Sequence, residues 1–305
     1  MNSKSIRSSR AILFVILSLL LAAPVFAQRQ QQPAPPKTYA DVSYAPYEST
    51  RLDFWQAKSD TPTPLVVYIH GGGFTGGTKD RVNGALITKL LKAGISFASV
   101  EYRLAGVEPL PAAHQDAKRA IQFLRTKAKE WNLDKNRLGA TGGSAGAQLC
   151  LYLALHDEMA DKNSAVPLER ESTRLTCAAV SGCQITMDLN WWVEHVPGYT
   201  IHRNMLEIYG VSTEAELKPL VREASVMNHV SKDDPPVWMS YGMTPDDPIP
   251  DDERKAGNWK VHHVNHGVEM KRLMEKQGLE IHLTWPGAKT MYASSADFFI
   301  AKLKR

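Results

Sequence analysis

Short apolar runs alternate along this chain with longer segments in which apolar residues recur at helical spacing. Residues 65–69 form an unbroken apolar run that leads directly into the glycine-rich sequence HGGGF at positions 70–74. A short apolar run bounded by glycines is typical of a strand buried on both faces of a parallel sheet. Comparable runs predict further strands over residues 95–104, 176–182, 235–242 and 281–285.

Segments with helical spacing separate these runs. Residues 84–94 form one predicted helix, and residues 111–133 form a longer one whose apolar residues fall on one face. Residues 136–155 pass from a short strand through a glycine-rich corner into a third helix. This alternation predicts an α/β fold with a doubly wound, mostly parallel sheet. Residues 184–224 stand between two predicted strands and are expected to form a small cap-like insertion.

The N-terminus has the layout of a secretory signal peptide. A basic start precedes an apolar run over residues 11–21, and small residues stand at the predicted cleavage position, 25–27. The apolar run is short against the roughly 20 residues that a spanning helix needs. We therefore expect residues 1–27 to be removed on export, which predicts a secreted or periplasmic protein without a stable membrane anchor.

The proline- and glutamine-rich residues 28–38 are expected to form a disordered leader. Residues 39–305 are then long enough for one large α/β domain. The formal net charge of +4 falls by three when the basic residues of the signal peptide are lost. The sequence contains no basic stripe with interleaved aromatic residues, so that no nucleic-acid partner is expected.

Three cysteines follow the signal peptide, at Cys150, Cys177 and Cys183. An odd number in an exported protein allows at most one internal disulfide, for which Cys177 and Cys183 are the candidates. We favour buried, reduced thiols that pack as small apolar residues. None has metal-ligand spacing with another cysteine, and no metal or cofactor is expected.

The sequence GGSAG at positions 142–146 fits the pattern G-x-S-x-G between a predicted strand and a predicted helix. Glycines are needed there because side chains would collide on the sharp turn that carries Ser144. The turn places the serine hydroxyl at the end of the sheet and at a helix N-terminus. Ser144 is therefore the candidate nucleophile.

The sequence HGGG at positions 70–73 supplies a second part of such a site. Acyl transfer develops negative charge on a carbonyl oxygen, which main-chain N–H groups in fixed positions stabilise. Glycines allow the loop to approach the substrate closely. Gly72, Gly73 and Ala145 are the candidate oxyanion-hole residues, and His70 is expected to brace the loop by hydrogen bonding.

Four segments carry a family resemblance: YIHGGGF, SVEYRL, PAAHQDAKRAIQFLRTKAKEWNLDKNRLGATGGSAGAQL and EASVMNHVSKDDPPVWMSYG. They resemble the α/β-hydrolase fold and, within it, exported esterases related to bifunctional acetylxylan/feruloyl esterases (BD-FAE-like) and hormone-sensitive-lipase-type carboxylesterases. The similarity covers residues 47–305. It implies carboxylic-ester hydrolysis through an acyl-enzyme, without a cofactor.

The resemblance also implies a catalytic acid in the loop after the strand at 235–242. Asp247, followed by proline, best matches the family pattern, and Asp246 is the alternative. The family's histidine would follow the Pro-Gly-Ala at 286–288, where this chain has Lys289 and Thr290. Lysine is a poor replacement because its ammonium group is charged at neutral pH.

The histidine-rich sequence HHVNH at positions 262–266 could supply the missing base. His262 and His263 point in different directions in any regular backbone, so that at most one is expected to reach Ser144. We favour His263. His266 completes a His-His-x-x-His pattern, but no carboxylate or cysteine stands at a recognised metal spacing.

These observations predict an exported serine esterase that acts on small-molecule or carbohydrate esters, with acetyl or feruloyl esters of carbohydrates as the expected substrates. Trp191, Trp192 and Tyr199 in the cap-like insertion are candidates for an aromatic substrate wall. The alternative is a non-catalytic binding protein of the same fold, for which the Lys289-Thr290 substitution is the evidence.

Overall fold

The computed structural model describes residues 32–304. The predicted signal peptide, residues 1–27, lies outside the described residues, as do residues 28–31 of the expected leader. Eight strands form one sheet in the order β1-β2-β4-β3-β5-β6-β7-β8. The strands are Tyr39–Ser43 (β1), Arg51–Trp55 (β2), Thr63–Ile69 (β3), Ser96–Val100 (β4), Leu133–Gly143 (β5), Cys177–Ser181 (β6), Val237–Ser240 (β7) and Ile281–Thr284 (β8).

Helices connect the strands. They are Gly84–Lys92 (α1), Ala112–Thr126 (α2), Ala145–Leu155 (α3), Leu189–His195 (α4), Met205–Tyr209 (α5), Glu214–Ala224 (α6), Glu253–Val261 (α7), Asn265–Lys276 (α8) and Ser295–Leu303 (α9). No helix within residues 32–304 is long and apolar enough to cross a membrane.

The sheet is parallel from β4 to β8, whereas β2 pairs antiparallel with both β1 and β4. This arrangement confirms the predicted doubly wound, mostly parallel sheet. The sequence analysis missed β1 and β2, because polar residues interrupt both. Asp53 in β2 is fully buried, and the ammonium groups of Lys37 and Lys79 lie 2.6 Å and 2.9 Å from its carboxylate.

Helices cover both faces of the sheet. One apolar core lies under α1 and α9 and includes Phe97, Trp238 and Phe299. The other lies under α2, α3 and α8 and includes Leu149 and Met270. All residues of α3, which follows Ser144, are buried. The helix that carries the candidate nucleophile is thus enclosed by the domain.

Residues 32–38 have no regular secondary structure but contact the body of the domain, which differs from the disordered leader expected over residues 28–38. Trp55 Nε1 donates a 2.8 Å hydrogen bond to Pro35 O, and Lys37 reaches the buried Asp53. These contacts arise because polar groups of β2 need partners that the local sequence does not provide.

The cap-like insertion between β6 and β7 contains the short helices α4, α5 and α6. The loop after β7 contains α7, which the sequence analysis did not predict. All three cysteines are free and buried, as favoured from the sequence.

Candidate active site

Ser144 stands at the turn between β5 and α3 in a strained conformation, with φ 54° and ψ −124°. Non-glycine residues rarely adopt positive φ, and such strain is often found at functional positions. A Cβ atom at Gly142 would lie 2.5 Å from Ile69 O, and one at Gly146 would collide with the same oxygen. The flanking glycines are therefore required by the close approach of β3.

The HGGG loop follows β3 and lies against this turn. Gly72 and Gly73 have φ values of 125° and 63°, which favour glycine. A Cβ atom at Gly71 would lie 2.5 Å from Gly143 O. Within residues 32–304, the N–H groups of Gly72, Gly73 and Ala145 donate to no protein acceptor. These donors remain available beside Ser144.

His70 stands at the start of the loop, and no hydrogen bond joins its ring to Ser144. Its ring is buried and stacks on Tyr102 with the ring centroids 4.2 Å apart. Nδ1 lies 2.9 Å from Gly71 O, and the Tyr102 hydroxyl donates to His70 O at 3.0 Å. Burial lowers the pKa of His70. The residue braces the loop, which is the role expected from the sequence.

His262 is the histidine that reaches Ser144. It stands at the C-terminal end of α7, and its Nε2 lies 2.9 Å from Ser144 Oγ. Nδ1 lies 2.9 Å from the main-chain oxygen of Asn258. Because a carbonyl oxygen can only accept, Nδ1 must carry the proton, and Nε2 is left to accept the serine hydroxyl proton. This geometry suits a general base.

Gly182 and Gln184, which follow β6, hold His262 in place. Gly182 has a φ of 54°, and a Cβ atom there would lie 3.1 Å from His262 Cδ2. Gln184 is buried and donates from Nε2 to Gly182 O at 3.0 Å and to Val261 O at 2.9 Å. The glutamine therefore ties the end of α7 to the end of β6, where Ser144 N donates to Ser181 O.

The environment of His262 favours the neutral imidazole. Burial lowers its pKa below the ordinary 6.5, the hydrogen bond to Asn258 opposes this shift, and the positive charge of Arg203 adds to it. A group with a lowered pKa stays available as a proton acceptor at neutral pH.

His263, the base favoured from the sequence, does not reach Ser144, and His262 replaces it as the candidate base. His263 is fully buried, its Nδ1 accepts a 3.2 Å hydrogen bond from Asn265 N, and its ring packs edge-on against Trp259. Consecutive residues at the end of a helix point in different directions. His262 faces Ser144, and His263 consequently faces the core.

The third residue of the HHVNH sequence, His266, is also buried. It packs against Trp191 and Trp192, with ring centroids 5.0 Å apart in each case. Burial lowers its pKa to about 3. The three histidines of this sequence do not converge on a common point.

Asp247 makes no hydrogen bond to His262, contrary to the role implied by the family resemblance. Its carboxylate accepts hydrogen bonds from Thr244 N at 3.0 Å and from Thr244 Oγ1 at 2.7 Å, in an exposed turn. The alternative, Asp246, is also exposed. Within residues 32–304, no carboxylate is hydrogen-bonded to His262. The loop after β7 folds into α7 instead of presenting an acid to the histidine.

Lys289 and Thr290, at the family's histidine position, are exposed. The Thr290 hydroxyl donates to Tyr292 O at 3.1 Å. His282, in β8, packs edge-on against the Tyr292 ring and lies 2.7 Å from the Glu280 carboxylate. These residues do not line the cavities beside Ser144.

Two cavities meet at Ser144. The open one has a volume of about 390 Å³ and is lined by Gly72, Arg81 and His262, among others. The enclosed one has a volume of about 30 Å³, and its mostly apolar lining includes Phe74, Met187, Leu189, Trp192 and Met205. An outer groove of about 900 Å³ under α4–α6 shares Arg203 and several apolar residues with the enclosed cavity.

The candidate aromatic wall is divided among different environments. Trp192 lines the enclosed cavity. Trp191 lines the outer groove and stacks on His195 with centroids 4.3 Å apart. Tyr199 is buried against Trp192 and lines none of the three cavities. Only part of the predicted wall is therefore near Ser144.

One group of side chains elsewhere has the composition of a metal site. His156, Glu223 and His229 each offer one ligand atom, and these atoms lie within 4.8 Å of one another. The Glu223 carboxylate accepts from the Tyr152 hydroxyl at 3.0 Å and lies 3.0 Å from His156 Nε2. These contacts connect α3 to α6. None of the three residues lines the cavities described above.

An eight-stranded, mostly parallel sheet with a serine on a strained turn after β5 defines an α/β-hydrolase. The chain belongs to the BD-FAE family, whose sequence profile matches residues 52–255.

Curated relatives and solved structures agree with this assignment. The esterase LipC of Mycobacterium tuberculosis is 26% identical over 204 residues, which cover 66% of this chain and 49% of LipC. The matched regions span between 28% and 49% of the length of the first curated relatives.

Two solved structures illustrate the shared fold. The acetyl ester-xyloside bifunctional hydrolase of Caldicellulosiruptor lactoaceticus has a TM-score of 0.61 at 24% identity and covers 77% of this chain and 76% of its own. A truncated carbohydrate esterase from gut microbiota has a TM-score of 0.66 at 20% identity and covers 90% of this chain and 100% of its own.

Proposed function

We propose that the protein is a serine carboxylesterase in which Ser144 is the nucleophile and His262 the general base. The observation that carries this proposal is the 2.9 Å contact between His262 Nε2 and Ser144 Oγ. It supports a catalytic role despite Lys289 and Thr290, because the base can come from the end of α7 and not from the loop after β8.

The reaction follows from this geometry. Ser144 Oγ attacks the ester carbonyl while His262 Nε2 takes its proton, and the N–H groups of Gly72, Gly73 and Ala145 stabilise the oxyanion. The imidazolium then donates its proton to the leaving alcohol, which leaves an acyl-serine. Water, activated by the neutral His262, hydrolyses this intermediate and regenerates the serine.

The cavities favour a small acyl group and a larger alcohol. A volume of about 30 Å³ holds about two waters, or a group the size of an acetyl methyl. A feruloyl ring would not fit this volume, whereas the open cavity can take a sugar. An acetyl ester of a carbohydrate is thus the better supported of the two substrates expected from the sequence. Two structural neighbours, an acetyl ester-xyloside bifunctional hydrolase and a carbohydrate esterase, support this choice.

The proposed site of action is outside the cytoplasm, in the periplasm or secreted. Support for this part comes from the basic start, the apolar run and the small residues within positions 1–27. Detection of a mature N-terminus near residue 28 in exported protein would support it, and retention of the full chain in the cytoplasmic fraction would contradict it.

The decisive experiment is intact-mass detection of a fluorophosphonate adduct on the purified protein. Ser144→Ala and His262→Ala are expected to remove labelling, whereas His263→Ala is expected to label while it remains folded. If the folded wild type stays unlabelled on long exposure, the protein is not a serine hydrolase, and the non-catalytic alternative gains support.

A further inference from the structure

A guanidinium group without an acidic partner stands beside Ser144. Arg203 lies between α4 and α5, and its side chain is half-buried. Its Nη2 donates a 3.4 Å hydrogen bond to Gly73 O in the HGGG loop. Within residues 32–304, no carboxylate lies within 4.0 Å of this group. Arg103, by contrast, pairs with Asp116 at 2.8 Å.

The hydrogen-bonding capacity of Arg203 is mostly unused. A guanidinium carries five N–H donors in a planar fork, and one long hydrogen bond to a protein group is present here. Removing such a charge from water is costly unless a partner replaces the lost hydration. The group that fits a planar fork best is a carboxylate, which can accept two parallel hydrogen bonds.

The formally charged side chains that line the two cavities meeting at Ser144 are basic, whereas the outer groove also includes Asp188 and Glu214. Arg81 lines the open cavity, and Arg203 lines both the enclosed cavity and the outer groove. The two cavities that meet at Ser144 include no aspartate or glutamate among their described lining residues. A cleft lined by one sign of charge concentrates ligands of the opposite sign.

We propose that Arg203 forms an anion subsite that binds a carboxylate carried by the ester substrate. This inference rests on the proposed function and adds a charge requirement to it. The carboxylate can belong to a short acyl chain that extends from the enclosed cavity into the outer groove, which Arg203 also lines, as in a half-ester of a dicarboxylic acid. It can also belong to the alcohol, as in an acylated sugar acid. The bound anion would also offset the repulsion between Arg203 and the His262 imidazolium that forms during the reaction.

Two matched pairs of esters test the subsite. On the acyl side, para-nitrophenyl hemisuccinate is compared with para-nitrophenyl butyrate. On the alcohol side, para-acetoxybenzoate is compared with para-acetoxybenzamide. The readout is the ratio of kcat/KM for the charged and the neutral ester, measured at low ionic strength and about pH 8, where His262 is neutral.

For at least one pair, we expect Arg203→Gln to lower this ratio by roughly 10- to 100-fold, because a hydrogen bond to a charged group is lost. Arg203→Lys should restore part of the ratio. Arg254→Gln, which removes the same charge from an exposed position on α7, should leave the ratio unchanged. The pair that responds identifies which side of the ester carries the carboxylate.

A binding measurement separates failure of the subsite from failure of the proposed function. Calorimetric titration of the Ser144→Ala variant measures binding without hydrolysis. The ligands are para-acetoxybenzoate and succinamate, the monoamide of succinic acid. Binding that depends on Arg203 would support the subsite even if the wild type hydrolysed no ester. Equal ratios in wild type and Arg203→Gln for both pairs, together with unchanged binding, would overturn it. Loss of the ratio in Arg81→Gln but not in Arg203→Gln would also overturn it, since the anion would then lie in the open cavity.

Discussion

The His262 ring is oriented by the main-chain oxygen of Asn258, which lies 2.9 Å from Nδ1 and belongs to the same helical turn of α7. In a Ser-His-Asp triad, a carboxylate in this position orients the imidazole and stabilises the imidazolium. A carbonyl oxygen can provide the orientation but carries only a partial charge. The site therefore keeps the tautomer of a triad and lacks its full negative charge.

The two neighbouring histidines should differ sharply when replaced. We expect His262→Ala to lower kcat/KM for an acetate ester by roughly 10²- to 10⁴-fold, because the general base is lost. His263→Ala should instead lower the melting temperature, since His263 is buried and accepts a hydrogen bond from Asn265 N. Steady-state kinetics and thermal unfolding of both variants provide the comparison. Similar kinetic losses in two equally folded variants would contradict this assignment.

Asp247 should contribute little to catalysis. Its carboxylate bonds to Thr244 in an exposed turn, and it makes no hydrogen bond to His262. We expect Asp247→Asn to leave kcat/KM within about threefold of the wild-type value, with Asp246→Asn as the matched control. A loss of about 100-fold or more in Asp247→Asn alone would mean that this loop reaches His262 during the reaction.

The pH dependence of hydrolysis should report His262. Only the neutral imidazole accepts the serine proton, so activity falls as the pH drops through its pKa. Burial, with a further contribution from Arg203, lowers that pKa from 6.5, and the acid limb of kcat/KM should therefore lie below pH 6.5. Arg203→Gln removes a positive charge that disfavours the imidazolium, so its acid limb should move to higher pH. A limb above 6.5 in the wild type, or a shift to lower pH in the variant, would contradict the expected environment.

Gln184 is expected to act as a positioning residue for His262. Gln184→Leu removes the two hydrogen bonds that tie the end of α7 to the end of β6. A displaced base lowers kcat by up to about 100-fold with a small change in KM. Gln122→Leu is the matched control, because this buried glutamine also donates to two carbonyls, those of Glu169 and Glu171.

Both glutamine variants should lose similar stability, and only Gln184→Leu should lose turnover. Equal kcat values in the two variants would show that Gln184 has a purely structural role. Both substitutions leave carbonyl acceptors unpaired in a buried site. Comparing the two variants therefore separates the loss of turnover from this shared cost in stability.

The buried ion pair of Arg103 and Asp116 should contribute more to the free energy of unfolding than an ion pair on the surface does. Arg103 donates from Nε and Nη2 to the Asp116 carboxylate at 2.9 Å and 2.8 Å. We expect Asp116→Ala to lower the free energy of unfolding by about 3–5 kcal/mol, because it leaves a buried guanidinium without its partner. Glu269→Ala, which breaks an exposed pair with Arg272, should cost less than about 1 kcal/mol. Denaturant titration of both variants measures the difference.

Much of the fold was predictable because its signals are local. The apolar run that became β3, the helical spacing of α1 and α2, and the glycine-flanked Ser144 each reflect contacts within one element or one turn. The antiparallel strands β1 and β2 were missed because their pattern is broken by polar residues. The buried Asp53 is acceptable there only because Lys37 and Lys79 reach it from other segments.

The sequence by itself determined the parallel strands β3 to β8, the serine turn and the glycine loop, since each requires particular residues at fixed short spacing. Only the tertiary structure decided which histidine reaches Ser144, because α7 was not recognised and the direction of its last residues depends on how it packs. His262 lies 118 positions from Ser144 along the chain, so their 2.9 Å contact depends on the whole domain. The exclusion of Asp247 has the same cause, since its loop turns outward where α7 begins.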